Sequence, residues 1–288
     1  LENATEPLEL AMTAVGHLES VATNDALRDA YNAVVPKASA FWSELAMNDG
    51  LYQAVHSFSE TDEAEALDPT LRRFLEKTLD DFRRHGAELE PEDKEKLQAM
   101  EIELTQLTTK FSQNVLDETN AFELVITDEA KLGGLPESAK RAAAQNASAK
   151  GIEGWRFTLQ APSLIPLLTY LDDRGIREHV WRAYNTRASS GERDNRPLIS
   201  RILELRRAKA ALLGYEDFSD LVTEDRMAKN GTKAEQFVDD LYEKTIAAFE
   251  SENEALMEFR RGLEGEDAPD IEPWDTAYYL EKLKHQKF

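Results

Sequence analysis

Helical spacing of apolar residues is the feature that most constrains the fold of this 288-residue chain. In its longest regular segment the apolar side chains recur every three or four positions, at Leu97, Met100, Leu104, Leu107 and Phe111. This spacing places them on one face of an α-helix. Pro91 suits the first turn, because proline lacks the amide hydrogen that a helix start leaves unused. We predict one long helix from about 91 to 120 that packs in a bundle.

Shorter helices are predicted on both sides of this segment. Asp68 and Pro69 have the properties of a cap and a first helical residue. Before them we expect two or three helices, with breaks at Pro36 and at Asp49-Gly50.

Later helices are predicted at about 173–190, at about 195–213, from Thr232 and from Pro273. Thr232 and Glu235 have the spacing of a capping box, in which each side chain satisfies the other residue's free amide. The stretch from Ser189 to Asn195 is polar and is predicted to be a loop.

Two segments favour β-strands, because they alternate and are rich in β-forming residues: 122–127 and 155–159. An alanine-rich helix is predicted between them, from Pro136 to Lys150. The fold class is therefore mostly α, a multi-helix body with a small two-stranded β element. We predict a helical N-terminal subdomain (1–121), a small β-α-β insertion (122–160) and a helical segment (161–288).

The charge balance limits the partners of the chain. It has 56 acidic and 34 basic side chains, a net charge of −22. Such a field repels nucleic acid and anionic lipid, so we expect neither nucleic acid nor membrane as a partner. Cysteine is absent, which excludes disulfides and thiol catalysis within the chain and fits a cytoplasmic location. The chain begins at Leu1 and ends at Phe288 directly after a charged amphipathic stretch, so we expect a truncated sequence.

A search for catalytic motifs finds none. The five histidines are His17, His56, His85, His179 and His285. No two are four residues apart and none precedes a glutamate, so the zinc motif H-E-x-x-H is absent from the sequence. Phosphate-binding glycine loops and the G-x-S-x-G motif are absent as well. We interpret all five histidines as structural or surface residues.

Two other clusters allow a functional and a structural interpretation. Basic residues are concentrated on one predicted helix: Arg201, Arg206, Arg207 and Lys209. We interpret this helix as pairing its charged face with acidic neighbours. Tyr278 and Tyr279, beside Trp274, could line a ligand cleft, but core packing of a terminal helix is the favoured interpretation.

Several longer phrases resemble a known family. They are Phe111 to Asp117, Leu135 to Ser138, Ala161 to Ser163, Arg182 to Ser189, Ile202 to Arg206, Arg226 to Ala228 and Pro273 to Tyr279. In this order and spacing they resemble the oligopeptidase A branch of the thimet oligopeptidase family, to which peptidyl-dipeptidases are related. The resemblance covers most of the chain from about 110 onward and is looser before it.

The resemblance implies a mostly helical, cytosolic zinc metallopeptidase with two halves that flank a deep, narrow channel for short peptides. In that family an H-E-x-x-H helix and a more distal glutamate hold the zinc, and all of them belong to the C-terminal half. None of these residues matches a position here. We therefore expect no catalytic, cofactor-binding or metal-ligating residue in this chain, and zinc only in the full-length parent.

The leading hypothesis is an N-terminal portion of such an enzyme, inactive alone, that forms one wall of the channel. Its expected partners are short peptides and the C-terminal catalytic half, and the portion alone could self-associate through apolar surface. Two alternatives stay open: a stand-alone helical protein that binds peptides or acts as a scaffold, and one chain of a split peptidase.

Overall fold

The computed structural model of the chain describes residues 2–287, and 76% of the residues are helical, which confirms the mostly α fold class. The first half of the chain forms α1 (Glu2–Ala22), α2 (Asp25–Ala46), α3 (Asp49–Ser59), α4 (Asp62–Glu65), α5 (Pro69–Arg84) and α6 (Pro91–Ala121). The second half forms α7 (Glu137–Ser148), α8 (Ala161–Tyr170), α9 (Arg174–Asn185), α10 (Arg196–Leu212), α11 (Phe218–Thr223), α12 (Gly231–Glu264) and α13 (Pro273–Lys287). Short 3-10 turns occupy Glu129–Leu132 and Gly191–Arg193. In the described part of the chain, no helix is long and apolar enough to cross a membrane.

The local signals in the sequence locate most helix ends. The carboxylate of Asp68 accepts hydrogen bonds from the amides of Thr70 (2.8 Å) and Leu71 (3.2 Å), so it caps α5 as predicted. The long helix predicted from about 91 to 120 is α6. Asp173 caps α9 by accepting from the amide of Ile176 at 3.0 Å.

Two predicted helix boundaries are wrong. Pro36 does not break the chain but lies inside α2. A proline there costs one backbone hydrogen bond. Contacts on both sides of it hold α2 together: the buried Val35 next to it, and the 3.0 Å hydrogen bond between the hydroxyls of Ser39 and Thr105. The break near Asp49 is present just before that residue, where α2 ends and α3 begins.

The second error is the capping box at Thr232. Helix α12 begins one residue earlier, at Gly231, and its cap is Asn230, whose side-chain oxygen accepts from the amide of Lys233 at 2.9 Å. Asparagine is among the best capping residues. The predicted box therefore lies within the first turn instead of preceding it.

A two-stranded antiparallel sheet confirms the small β element. Strand β1 (Leu124–Ile126) pairs with β2 (Trp155–Phe157). The register places Leu124 opposite Phe157 and Ile126 opposite Trp155. Ile126 and Phe157 are buried, and α7 packs against β2. Each strand thus contributes apolar side chains to a common core, as the alternation indicates.

The chain forms two compact units, each made of two stretches of sequence. The first comprises residues 1–113 and 196–235, and the second comprises residues 114–195 and 236–288. Each unit is defined by the contacts within it, and its two stretches are not consecutive in the sequence. The division into 1–121, 122–160 and 161–288 stays a prediction.

The first unit combines a small apolar cluster with polar ties between helices. Tyr52, Phe82 and Ala87 form the buried apolar cluster. Elsewhere in the unit, the buried amide of Gln113 on α6 donates to Glu19 at 3.1 Å and to Asn32 at 2.8 Å. Buried amides must find such partners, because an unpaired one costs about 1–3 kcal/mol. These bonds tie α6 to α1 and α2.

The second unit contains the largest continuous core. Its buried residues come from the sheet, the adjoining turn and helices α7 to α9: Ile126, Leu132, Leu135, Ala143, Phe157, Leu159, Leu164, Leu167, Leu171 and Val180. Fully burying one leucine contributes roughly 1.5–3 kcal/mol. This core fixes the start of α9, which supplies two arginines to the site described next.

Candidate functional site

The most extensively connected charged group of the second unit is the carboxylate of Asp275. Its side chain is completely buried in the first turn of α13. It accepts hydrogen bonds from Arg174 (2.8 to 3.1 Å), Arg177 (2.9 Å) and Arg260 (3.2 Å). The amide of Glu272 donates to it as well, at 3.2 Å. We call Asp275 and these three arginines the Asp275 cluster.

Local structure explains how the cluster forms. Arg174 and Arg177 lie one turn apart on α9 and therefore project from the same side of that helix. Arg260 lies in the last turns of α12 and binds Glu264, four residues later, at 3.0 Å. Asp275 follows Pro273 in the first turn of α13, where the helix dipole favours a negative charge. The cluster thus connects the ends of three helices.

Arg177 is one of the two fully buried arginines of the cluster. It is 1% exposed and satisfies its other donors on the carbonyl oxygens of Leu171 (2.8 Å), Asp172 (3.1 Å) and Trp274 (3.3 Å). A buried guanidinium needs this many acceptors, because each unpaired donor would keep its full desolvation cost.

The surroundings keep Asp275 ionised. Burial alone would raise the pKa of this carboxyl, but the hydrogen bonds from Arg174 and Arg177 outweigh burial and hold the pKa below its ordinary value. The pKa of Arg174 is raised, chiefly by its hydrogen bonds to Asp275. With both oxygens occupied by donors, Asp275 is a poor candidate for a general base. The geometry is that of a structural ion cluster.

Aromatic rings enclose the cluster, and their burial tests whether they pack in the core or line a ligand cleft. The guanidinium carbon of Arg177 lies 4.0 Å from the ring centre of Tyr278, and the hydroxyl of Tyr278 donates to Asp172 at 2.7 Å. Burial and a hydrogen bond to Glu264 raise the pKa of Tyr279. Trp274, Tyr278 and Tyr279 are all buried. Core packing is confirmed for them, and the ligand-cleft alternative is wrong.

A surface depression of about 390 Å³ lies in the first unit, beside Tyr52, His56 and Glu88. The hydroxyl of Tyr52 donates to Glu88, and this bond, together with burial, raises the pKa of Tyr52. Asp49, at the rim, pairs with Lys94. The acidic groups here are thus engaged by neighbours, and nothing in the depression resembles a nucleophile paired with a base.

A second depression, also about 390 Å³, lies in the second unit between α7 and the β2 strand. Several of its polar side chains bond to one another or to neighbouring groups. Gln160 donates to Asn120 at 2.9 Å, Arg156 donates to Glu123 at 2.7 and 3.0 Å, and the hydroxyl of Ser163 accepts from the amide of Thr158 at 2.9 Å. We assign no catalytic role to it.

The histidines do not form a metal site. His85 lies 2.7 Å from the carbonyl oxygen of Asp81, His285 pairs with Glu281 at 3.2 Å, and His179 lies against Phe122. Among residues 2–287, no three histidine or acidic side chains are grouped so that they could hold a metal ion. The side chains of this part of the molecule therefore do not fit zinc, and we derive no zinc chemistry from them.

Two of the four basic residues of α10 predicted to pair with acids do so. Arg201 binds Glu103 at 2.6 and 2.9 Å, and Lys209 pairs with Glu101 on α6. Arg206 instead stacks over the ring of Phe218. The helix is therefore a packed element of the first unit.

Comparisons with known proteins identify what the chain is similar to. A model described as Peptidase family M3 matches residues 167–288, and a model described as Neurolysin/Thimet oligopeptidase, N-terminal domain matches residues 1–94. Oligopeptidase A of Haemophilus influenzae is 35% identical over 294 residues, which cover 100% of this chain. The chain is therefore similar, over its whole length, to members of peptidase family M3.

Other family M3 relatives give the same picture. Oligopeptidase A of Escherichia coli is 34% identical over 293 residues, and a probable cytosolic oligopeptidase A of Arabidopsis thaliana is 33% identical over 295 residues. Each alignment covers all of this chain but only 43% or 42% of the relative. The chain thus spans less than half the length of these family M3 relatives.

The family M3 match at 167–288 contains every residue of the Asp275 cluster. Motif searching missed this cluster, because its members are separated by up to about 100 positions. One signal was available. Asp275 lies three and four residues before Tyr278 and Tyr279, so a charge occupies the apolar face of an amphipathic helix. Such a charge requires buried partners.

Proposed function

We propose that the chain is the N-terminal, non-catalytic portion of a zinc-dependent oligopeptidase that hydrolyses short peptides. The observation that carries this proposal is the similarity to oligopeptidase A, which covers the whole chain and only 43% of the relative. The N-terminal-domain model at residues 1–94 supports the same placement. The sequence has no H-E-x-x-H motif, so the zinc ligands would lie in the remainder of the enzyme.

In this proposal the chain acts by shape and not by chemistry. It forms one wall of a narrow channel, which admits extended peptides and excludes folded proteins. A wall of this kind contributes to catalysis by restricting and positioning the substrate. The Asp275 cluster serves this role indirectly, because it holds α9, α12 and α13 in one arrangement. No residue of the chain is assigned to the catalytic step.

The experiment compares the full-length protein with the 288-residue chain, each with added zinc and with a chelator. Fluorogenic peptides of about ten residues serve as substrates, and a folded protein serves as the size control. We expect zinc-dependent cleavage of the peptides, and not of the folded protein, by the full-length protein only. Cleavage by the 288-residue chain would overturn the proposal.

The mass of the native protein and its co-purifying chains separate the two alternatives. A native species of 32.6 kDa that binds peptides without cleaving them would favour a stand-alone binding or scaffold protein. Co-purification with a separate zinc-containing chain that restores cleavage would favour a split peptidase.

We further propose that the enzyme acts in the cytoplasm. The relatives include a probable cytosolic oligopeptidase A and an organellar oligopeptidase A from Arabidopsis thaliana, so both locations occur among similar proteins. Fractionation of the source cells, followed by peptide mass spectrometry for this chain, tests the proposal. Recovery in a membrane or organelle fraction would contradict it.

A further inference from the structure

The middle of α12 carries an apolar surface that is largely exposed. Five large side chains between positions 237 and 249 are exposed by 45–63%: Phe237, Val238, Leu241, Tyr242 and Phe249. At 100° per residue they project within about 140° of one another. We call these five residues the α12 stripe. Single exposed apolar residues are ordinary, whereas a continuous stripe on one side of a helix marks an interaction surface.

The α12 stripe continues a surface that is already buried. Further along the helix, Leu256 and Phe259 project from the same side, and there they pack against Tyr278 and Tyr279 of α13. Leu256 is only 2% exposed. The face that is covered in the last turns of α12 is therefore bare over the preceding four turns. This continuity indicates that the remaining turns are covered in the same way, by further protein.

Charge restricts what can cover the stripe. The opposite side of the same turns carries Asp239, Asp240, Glu243 and Glu250, all exposed. A second copy would bring together two chains that each carry a net charge of −22, which is unfavourable. An anionic lipid surface is disfavoured for the same reason. The partner that fits is an apolar groove with basic side chains along its rim.

The length of the relatives identifies where such a groove would come from. The family M3 match includes the stripe, and the relatives extend to more than twice the length of this chain. We infer that the α12 stripe is the docking surface for the C-terminal part of the same peptidase, which presents an apolar groove with a basic rim. This inference rests on the proposed function, since it requires that the full-length protein contains that part.

The absence of cysteine from the chain permits a direct test by thiol labelling. Leu241→Cys and Phe249→Cys place a unique thiol of the chain on the stripe, and Glu243→Cys places a matched thiol on the opposite side of the same turns. Each variant is made in the 288-residue chain and in the full-length protein. Labelling by a maleimide is followed at the tagged peptide by mass spectrometry.

We expect the two stripe thiols to react at least about tenfold more slowly in the full-length protein than in the 288-residue chain, as protected sites do. The Glu243→Cys thiol should react equally in both. Equal labelling of the stripe thiols in the two proteins overturns the inference. Protection that appears in the 288-residue chain as its concentration rises points to a second copy, and protection that requires added peptide points to a substrate surface. Both of these outcomes also overturn it.

The outcomes are independent of the test of function. A full-length protein that protects the stripe but does not cleave peptides leaves the docking surface intact and removes the proposed function. Zinc-dependent cleavage by a full-length protein that does not protect the stripe supports the proposed function and rejects the docking surface.

Discussion

Removing the carboxylate of Asp275 should destabilise the second unit more than any surface change. In Asp275→Ala, Arg177 and Arg260 lose a negatively charged acceptor, and both are 1% exposed, so water cannot replace it. Breaking a buried ion pair from one side costs about 3–5 kcal/mol. The side chain of Arg174 is 37% exposed and can rehydrate, so it adds little. We expect a loss of about 3–5 kcal/mol in the free energy of unfolding.

Urea unfolding followed by tryptophan fluorescence is the assay, because three of the four tryptophans belong to the second unit: Trp155, Trp181 and Trp274. Free energies follow from the midpoint and slope of each transition. Asp275→Asn, which keeps one acceptor but loses the charge, should cost about 1.5–3 kcal/mol. Glu266→Gln, in the exposed segment between α12 and α13, is the matched control. A loss under about 1 kcal/mol for Asp275→Ala, within the range of surface substitutions, would refute the reasoning.

Three further predictions concern pH and backbone. The pKa of Asp275 is lower in the folded than in the unfolded state, so the stability that its charge contributes is fully present above the unfolded pKa of about 3.9. This stability is lost as the pH falls through the folded pKa. The difference in unfolding free energy between the wild type and Asp275→Asn should therefore shrink as the pH falls below about 3.9. Burial and a hydrogen bond to Glu224 raise the pKa of Tyr215 to about 12. The stability that the protonated phenol contributes is therefore present below about pH 10 and is lost as the pH rises through about 12. An ultraviolet titration of Tyr215→Phe should lack one late-titrating phenol. Gly134→Ala should lower the free energy of unfolding in urea by more than about 1 kcal/mol, because Gly134 has φ +82° and an added Cβ would overlap the carbonyl oxygen of Tyr170. Gly151→Ala is the control and should cost less, because Gly151 has φ +68° but lies in open space.

Sequence patterns located most elements because their signals are local. A cap such as Asp68 acts on amides two and three residues away, and the apolar spacing of α6 is visible within the helix itself. The boundary at Pro36 was wrong for the opposite reason. Propensity favours a break at proline, but the ties from α2 to Gln113 and Thr105 involve residues about 70 to 80 positions away. Distant contacts can outweigh a local preference, and no local pattern reports them.

The position of Asp275 on an apolar helix face was visible in the sequence, but its partners were not, for a similar cause. The four charges of the cluster come from α9, α12 and α13, and arginines are common on helices, so nothing singles out Arg177 or Arg260 in advance. The α12 stripe shows a second limit. Its spacing correctly predicts an amphipathic helix, yet spacing says only which side is apolar. Whether that side is covered depends on the rest of the protein.

Arg260 of the Asp275 cluster lies on α12, the same helix as the stripe, and this connects the two features. Within the second unit, α12 is held through Arg260 and Leu256 near its end, and the stripe occupies the preceding turns. A continuous helix is stiff over this length, so the contacts at its end set the direction in which the stripe points. Our hypothesis is that buried charges are used here because several specific hydrogen bonds permit fewer arrangements than apolar packing. If so, Asp275→Ala should raise the labelling rate of Leu241→Cys in the full-length protein and leave it unchanged in the 288-residue chain, where the stripe is bare already. An unchanged rate in both proteins would mean that the cluster stabilises the unit without orienting the docking surface.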